Sequence, residues 1–431
     1  MHIEEIYLME KEIRVAVVGC GSRGMYSYAP YVQQFENASV VAVAEPVDER
    51  REFFAQTHNL KPENCFKTAE EFFAQPKLAE VVFICTQDRQ HYEHTMAALE
   101  KGYDILLEKP VSNLPEHCIE IANTAKRLGR KVMVCHVLRY SPFYQKIKET
   151  IESGVIGKVM SLHQFEDVGY GHYAHSFVRG LWRNSDENSP MILAKCCHDM
   201  DIILWLVGKD CEKVSSFGSL SHFVPENAPI EGDRCTSECP KYDTCPYCAN
   251  TVYHHPSWTW AQIAVVLNPD EERLQKALAE NQYGRCVYRC DNNVVDHQIV
   301  NMQFAEGVTA SLTMCAFTNA MTRELKIMGT LGEIVGNMDD NTIKIQPFGQ
   351  EPEIIDVTTL ATDLSGHGGG ENKMIRDLFD MVVGEDTGVA LTSIDKSVQS
   401  HIMAFASERS RVEGGRVVEL KEIYDEHTKI D

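Results

Sequence analysis

The sequence has no run of eighteen apolar residues, which excludes a helix that spans a bilayer. Cationic side chains are scarce as well: among 431 residues, 41 Lys and Arg stand against 63 Asp and Glu, a net charge of −22. So acidic a surface repels phosphate backbones and anionic headgroups, and argues against nucleic acid or an anionic membrane as a partner. The opening "MHIEEIYLMEKE" has neither the basic stretch nor the apolar segment of an export signal, so the expectation is a cytoplasmic protein. There is no internal repeat and no low-complexity linker, so no composition shift marks a domain boundary.

Cysteine is not scarce. There are fifteen, and in a reducing compartment clustered cysteines point to metal before disulfide. A 44% hydrophobic, 24% charged composition is that of a globular protein, and the length asks for two or three domains. Over the first 135 residues, apolar runs alternate with helical stretches. The runs are "IRVAVVG" (13–19), "SVVAVAEP" (39–46), "AEVVFICT" (79–86), "YDILLEKP" (103–110) and "KVMVCH" (131–136). β-Branched runs separated by amphipathic helices predict a parallel sheet covered on both faces, a doubly wound domain that binds ligands at the carboxyl ends of its strands.

Between the first run and its helix, Gly19, Gly21 and Gly24 form G-x-G-x-x-G, with Ser22 and Arg23 inside the loop. The first glycine permits the turn, the second admits a pyrophosphate and the third lets helix and strand pack closely. Glu45 follows at the end of the second run, where a carboxylate accepts hydrogen bonds from the adenosine ribose and repels a 2′-phosphate. NAD is therefore expected over NADP, with Arg50 and Arg51 weighing the other way. Glu108-Lys109-Pro110 closes the fourth run, at the sheet edge where such domains do their chemistry.

The glycine loop, the Thr86–His91 segment "TQDRQH", "EKP", "HDMD" (198–201) and "LKIMGTLGEIVGN" (325–337) together resemble the glucose–fructose oxidoreductase/inositol dehydrogenase (Gfo/Idh/MocA) family. The resemblance covers most of the chain. It implies a Rossmann domain over residues 1–138 and a substrate-binding and oligomerisation domain over 139–431, built on a large, mainly antiparallel open sheet. Runs such as "KVMSLHQFE", "HQIVNMQF" and "VTASLTMCAF", joined by short turns, predict that sheet independently. A helix at about 393–411 is expected to pack back on the first domain. The resemblance further implies that Thr86, Gln87, His91, Glu108 and Lys109 join Gly19, Gly21, Ser22, Arg23, Gly24 and Glu45 around the cofactor. It also implies a dimer or tetramer formed through the second domain's sheet.

In the family, a histidine contacts the substrate hydroxyl, often four residues after an aspartate, with a second aspartate three residues later. Here His198 and Asp201 match, but Ala194 stands at the first aspartate's position, with Lys195 beside it. If the segment is one helix, Lys195 and His198 share a face. The implied catalytic set is Lys109, His198 and Lys195. His198 has the pKa suited to exchanging the hydroxyl proton, and an ammonium stabilises the developing alkoxide. Two close cations would depress each other, so a neutral Lys195 as the base is the alternative. Asp201 is expected at the substrate, and Cys196 and Cys197 in the packing.

"GYGHYAHSFVRGLWRN" (169–184) offers Arg179, Trp182 and His175 to a polyhydroxylated ligand, either as contacts or as a structured surface loop. "SGHGGGE" (365–371) either positions His367 in the cleft or is a flexible entry to a helix. In an insertion at about 232–250, Cys235, Cys239, Cys245 and Cys248 form C-x₃-C-x₅-C-x₂-C. Four thiolates in a proline-punctuated loop predict a structural zinc, with iron–sulfur the second choice of metal and a reduced, metal-free loop the alternative to both. The combined expectation is an NAD-dependent oxidoreductase acting on a sugar, cyclitol or glycoside hydroxyl. The alternatives are an NAD-dependent glycosidase that works by transient oxidation, and a non-catalytic NAD sensor.

Overall fold

In the computed structural model the described residues are 12–361, 364–384 and 391–427, without the side chains of Ser257, Ser365 and His367. The expectation for His367 thus lies outside them. The chain divides into two compact units. One comprises Met1–Lys148, Thr358–Ile402 and Ile423–Asp431, the other Glu149–Val357 and Met403–Glu422.

The first unit is built on six strands: β1 (Ile13–Val18), β2 (Ala38–Ala44), β3 (Cys65–Phe66), β4 (Val81–Ile84), β5 (Asp104–Leu107) and β6 (Val132–Val134). They lie in the order β3-β2-β1-β4-β5-β6, and every pairing is parallel. Val81 to Ile84 are fully buried, as a strand covered on both faces requires. The strand order reverses between β1 and β4, which opens a crevice at their carboxyl ends. The helix Pro115–Leu128 begins with proline in its first turn and ends at Gly129, whose φ of +63° terminates it. Beyond β6, the Val134 N–H donates to Thr392 O at 2.9 Å and Met133 pairs with Ser393. A late segment of the chain therefore completes this sheet edge. The five apolar runs became β1, β2, β4, β5 and β6, whereas β3, two residues long, carries too little pattern to be read.

The second unit holds nine strands: β7 (Val159–Asp167), β8 (Cys211–Ser219), β9 (His297–Phe304), β10 (Thr309–Cys315), β11 (Thr322–Gly329), β12 (Gly332–Asn337), β13 (Thr342–Pro347), β14 (Glu353–Asp356) and β15 (Val418–Glu419). Their order is β14-β13-β12-β11-β7-β10-β9-β8-β15, antiparallel except for β7 beside β10. Burial alternates along β9 and β10, so one face is apolar and packed and the other is open. Between β8 and β9 the helices Ala249–His254, Thr259–Val265 and Glu271–Glu280 form a small core of their own around Val252, Tyr253, Leu274 and Leu278. The expected architecture, a Rossmann-type parallel sheet and a large mainly antiparallel one, is the one observed.

Candidate active site

At the end of β1 the backbone permits only glycine. Gly19 has a φ of +94°, and a Cβ there would lie 2.6 Å from Cys85 O; at Gly24 it would lie 2.3 Å from Gly19 O. At Gly21 the situation is opposite, with no atom beyond its own chain neighbours within 4 Å of the Cβ position. That open side fits a pyrophosphate lying against bare backbone. The exposed Ser22 then leads into a π-helical turn, Arg23–Tyr28. Glu45 is buried and held by the loop: Oε2 accepts from Cys20 N–H at 2.7 Å and Oε1 from Val47 N–H at 3.0 Å. Each oxygen keeps a lone pair for a ribose hydroxyl. Arg51 is turned away, donating to Glu45 O at 2.7 Å and pairing with Asp48.

After β5, Glu108 is buried at the centre of a polar knot. Its Oε1 accepts from Tyr28 OH at 2.5 Å and Arg23 Nε at 3.0 Å, and its Oε2 accepts from Lys109 N–H at 2.7 Å. Arg23 also lies 3.5 Å from Glu371. Burial pushes the Glu108 carboxyl up, but Arg23 and Lys109 outweigh it and the net shift is downward. Glu108 and Arg23 are thus bound to each other, which fixes the backbone of the partly buried Lys109. Behind them, His91 places Nε2 3.0 Å from Thr86 O and Nδ1 2.7 Å from Pro110 O. Thr86 Oγ1 contacts His94, and Gln87 N–H donates to Gln90.

In the second unit the segment around His198 differs from the single helix anticipated. It breaks into helices Met191–Ala194 and Cys197–Val207, with Lys195 and Cys196 at the joint, so Lys195 and His198 do not share one helix face. His198 and Asp201 lie in the first turns of the second helix, both buried, and Cys196 and Cys197 are fully packed. Lys195 Nζ lies 3.1 Å from Glu166 Oε1, and Glu166 Oε2 lies 2.7 Å from Arg323. Arg323 Nε donates to Asp199 Oδ1 at 2.8 Å, and Gln164 Nε2 donates to the same oxygen at 2.6 Å. Two cations and two carboxylates therefore cancel in a buried network. Burial and the neighbouring Glu166 push Asp199 up. Glu166 is pushed up by burial as well, but Arg323 and Lys195 bring it below the ordinary range. Glu166, Asp199 and Arg323 were not read from the sequence. One signal was available: alternation along β7 puts Leu162, Gln164 and Glu166 on the buried face, where polar residues need partners.

Residues 13–136 match the oxidoreductase family's NAD-binding Rossmann fold, and residues 148–420 match its C-terminal alpha/beta domain. The chain belongs to the Gfo/Idh/MocA oxidoreductase family. It is similar to the oxidoreductase YteT of Bacillus subtilis, 24% identical over 339 residues that cover 72% of this chain and 76% of that one. The inositol 2-dehydrogenase/D-chiro-inositol 3-dehydrogenase of Lactiplantibacillus plantarum is 27% identical over 219 residues, 51% of this chain and 59% of that protein. Several other curated relatives align over 47% to 58% of their own length. An inositol dehydrogenase homologue from Azotobacter vinelandii, solved with NAD+, shares the fold with a TM-score of 0.68 at 15% identity, covering 95% of this chain and 98% of that one.

On this Gfo/Idh/MocA scaffold Arg179 and His175 face the insertion between β8 and β9. Arg179 is fully buried at the end of a π-helical turn, Ala174–Arg179, where it donates to Arg285 O at 2.7 Å, Tyr247 O at 2.6 Å and Cys235 Sγ at 3.6 Å. His175 is stacked on Tyr283 and bonded to Tyr253 OH at 2.8 Å. Burial, then Arg179, lowers its pKa to about 3, so the ring is neutral. Trp182 packs against Phe177 with ring centroids 6.4 Å apart. The zinc site expected from Cys235, Cys239, Cys245 and Cys248 is not formed: among the described residues, no three His, Cys, Asp or Glu side chains stand as a group able to hold a metal ion. The Arg179 guanidinium lies against the Cys235 sulfur instead, at 3.6 Å. The Cys248 thiol and Arg179 hold the Cys235 thiol down at about 5, while Cys248 is pushed up. These residues suit a charge-paired staple, not a metal ion.

Proposed function

We propose that the protein oxidises a hydroxyl of a sugar, cyclitol or glycoside with NAD as the hydride acceptor, and in reverse reduces the ketone. The observation that carries this reading is the open backbone at Gly21 beside the anchored Glu45 carboxylate, in a unit that also presents Lys109 at the end of β5. Inositol dehydrogenases and a D-glucoside 3-dehydrogenase of Escherichia coli among the relatives support a polyol as substrate. Glu45, with Arg51 turned away, favours NAD over NADP. Gly19, Gly21, Ser22 and Gly24 would hold the pyrophosphate. Bound NAD would supply the hydride acceptor.

The chain's own part is to manage the proton and the charge. His198 takes the hydroxyl proton, since imidazole exchanges protons near neutral pH. The Lys109 ammonium stabilises the alkoxide that develops. The ion pair of Lys195 with Glu166 supports His198, and not Lys195, as the base. Asp201 and Trp182 orient the substrate. To test this, a panel of free sugars, inositols and aryl glycosides is incubated with NAD+ while nicotinamide absorbance and aglycone release are read in the same wells. The expected result is NADH accumulation, lost in K109A and H198A. Aglycone release that requires NAD+ but yields no net NADH would replace this reading with the redox glycosidase. NADH binding that survives both substitutions, with no turnover on any compound, would leave a sensor.

We further propose that two copies pair through the open face of the second unit's sheet. Phe165, Ile299 and Phe217 stand in one cross-strand row, linked through Thr313, and are 44%, 40% and 54% exposed. A row of that kind is more apolar than solvent-facing sheet requires. Light scattering on the eluting protein is expected to show a dimer or larger assembly that I299E dissociates; a monomeric wild type at micromolar concentration would refute it.

No helix among the described residues is long and apolar enough to cross a membrane.

A further inference from the structure

We propose that His401 is a positioning residue for Lys109, gripping together with His91 the peptide that follows Pro110. The proposal rests on the role given to Lys109 above. Pro110 C=O and Val111 N–H belong to one peptide group, and a buried histidine meets each end of it. The Val111 N–H donates to His401 Nε2 at 2.9 Å, and Pro110 O lies 2.7 Å from His91 Nδ1. Both rings are almost wholly enclosed.

The protonation of His401 follows from its partners. Its Nδ1 faces Ser397 O at 2.8 Å, a carbonyl that can only accept, so Nδ1 carries the proton. Nε2 then offers a lone pair, which is what Val111 N–H needs. His91 works from the other side, with carbonyl oxygens at both ring nitrogens, Pro110 O and Thr86 O. The two histidines come from distant parts of the chain. His91 opens the helix His91–Glu100, and His401 lies on the helix Ile394–Val412.

The grip completes a restraint that begins before the lysine. Glu108 N–H donates to Ile84 O at 2.9 Å, and Lys109 N–H donates to the Glu108 carboxylate at 2.7 Å. With the following peptide held as well, the backbone is restrained on both sides of Lys109. An apolar residue at 401 could fill the space but would leave a buried N–H without an acceptor, and the peptide plane would be free to turn.

The test uses full-length wild type, H401Q and H401L saturated with NAD+, with two readouts that need no substrate. Hydrogen exchange reads the Val111 amide. Competitive acetylation followed by mass spectrometry reads Lys109 against Lys326 as internal reference. Glutamine keeps an acceptor for Val111 and a donor for Ser397, whereas leucine keeps only the bulk. The expected result is that H401L loses protection at Val111 and shifts relative Lys109 acetylation by about threefold or more, and that H401Q restores both. If H401L does not fold, H401N, whose amide ends one bond short, takes its place in the same contrast. H401L, or H401N in its place, matching wild type in both readouts overturns the proposal, as does H401Q matching the defective variant. A wild-type Val111 amide that exchanges as fast as an exposed turn also overturns it. K109A judges the underlying reading separately: if it turns over substrate like wild type, the role of Lys109 fails. If K109A is inactive while H401L is unaltered, only the grip fails.

Discussion

At the end of β1 the first unit presents backbone with almost no side chain, whereas beneath the helix Cys197–Val207 the second unit packs four charged side chains against one another. The glycine loop has its shape because atoms are missing: a Cβ at Gly19 or Gly24 would strike a carbonyl. The network around Arg323 has its shape because charges are present and balanced, with Lys195 and Arg323 set against Glu166 and Asp199. The first is a steric device and the second an electrostatic one, so they should fail in different ways.

The largest effects are expected where the charge balance is broken and where the close packing of the glycine loop is lost. R323M leaves two buried carboxylates to Lys195 alone and should cost about 3–5 kcal/mol of stability. Urea unfolding measures this, and a loss under about 1 kcal/mol would mean the network is hydrated and weakly coupled. The steric device is probed by two alanines that differ only in the space above them. G24A meets Gly19 O and should fail to fold or lose cofactor entirely. G21A meets nothing in the protein, so its melting temperature should match wild type while its Kd for NADH rises about tenfold, roughly 1.4 kcal/mol. Equal NADH affinity in G21A and wild type would show that the pyrophosphate does not lie there.

An effect as small as that of G21A extends the contrast to the insertion, where a titratable ring is kept neutral. His175 has a folded pKa lowered to about 3 against an ordinary value of about 6.5. A depressed histidine contributes stability that is present above its unfolded pKa. That contribution is lost as the pH falls, because the unfolded chain takes up a proton the folded one refuses. At about pH 5.5 the loss is about 1.4 kcal/mol. H175F should flatten the acid side of the stability profile by about one proton, and an unchanged slope would place the ring in contact with water.

The same contrast decides what could be read in advance. The places of the glycine loop, Glu45 and Lys109 at the strand ends were legible because each signal is local: spacing within a turn, a carboxylate at a strand end, a motif closing a strand. The break at Lys195 was not, because "LAKCCHDMD" has helical composition throughout and nothing within it announces a joint. Arg323 and Asp199 stand 124 residues apart, and no periodicity connects them. Cys235 misled for the same reason. Its spacing from Cys239, Cys245 and Cys248 is local, but one of its partners, Arg179, comes from outside the loop.

Thr392 and Ser393 bind the open edge of β6, and they emerge from the ribosome more than two hundred residues after the strand they cover. During synthesis the edge therefore waits, with its hydrogen-bonding groups exposed, until nearly the whole second unit has been made. The order of translation and the order of folding cannot coincide for the first unit. A nascent chain halted before residue 391 would hold a sheet of the right strands with one side still able to recruit a stranger.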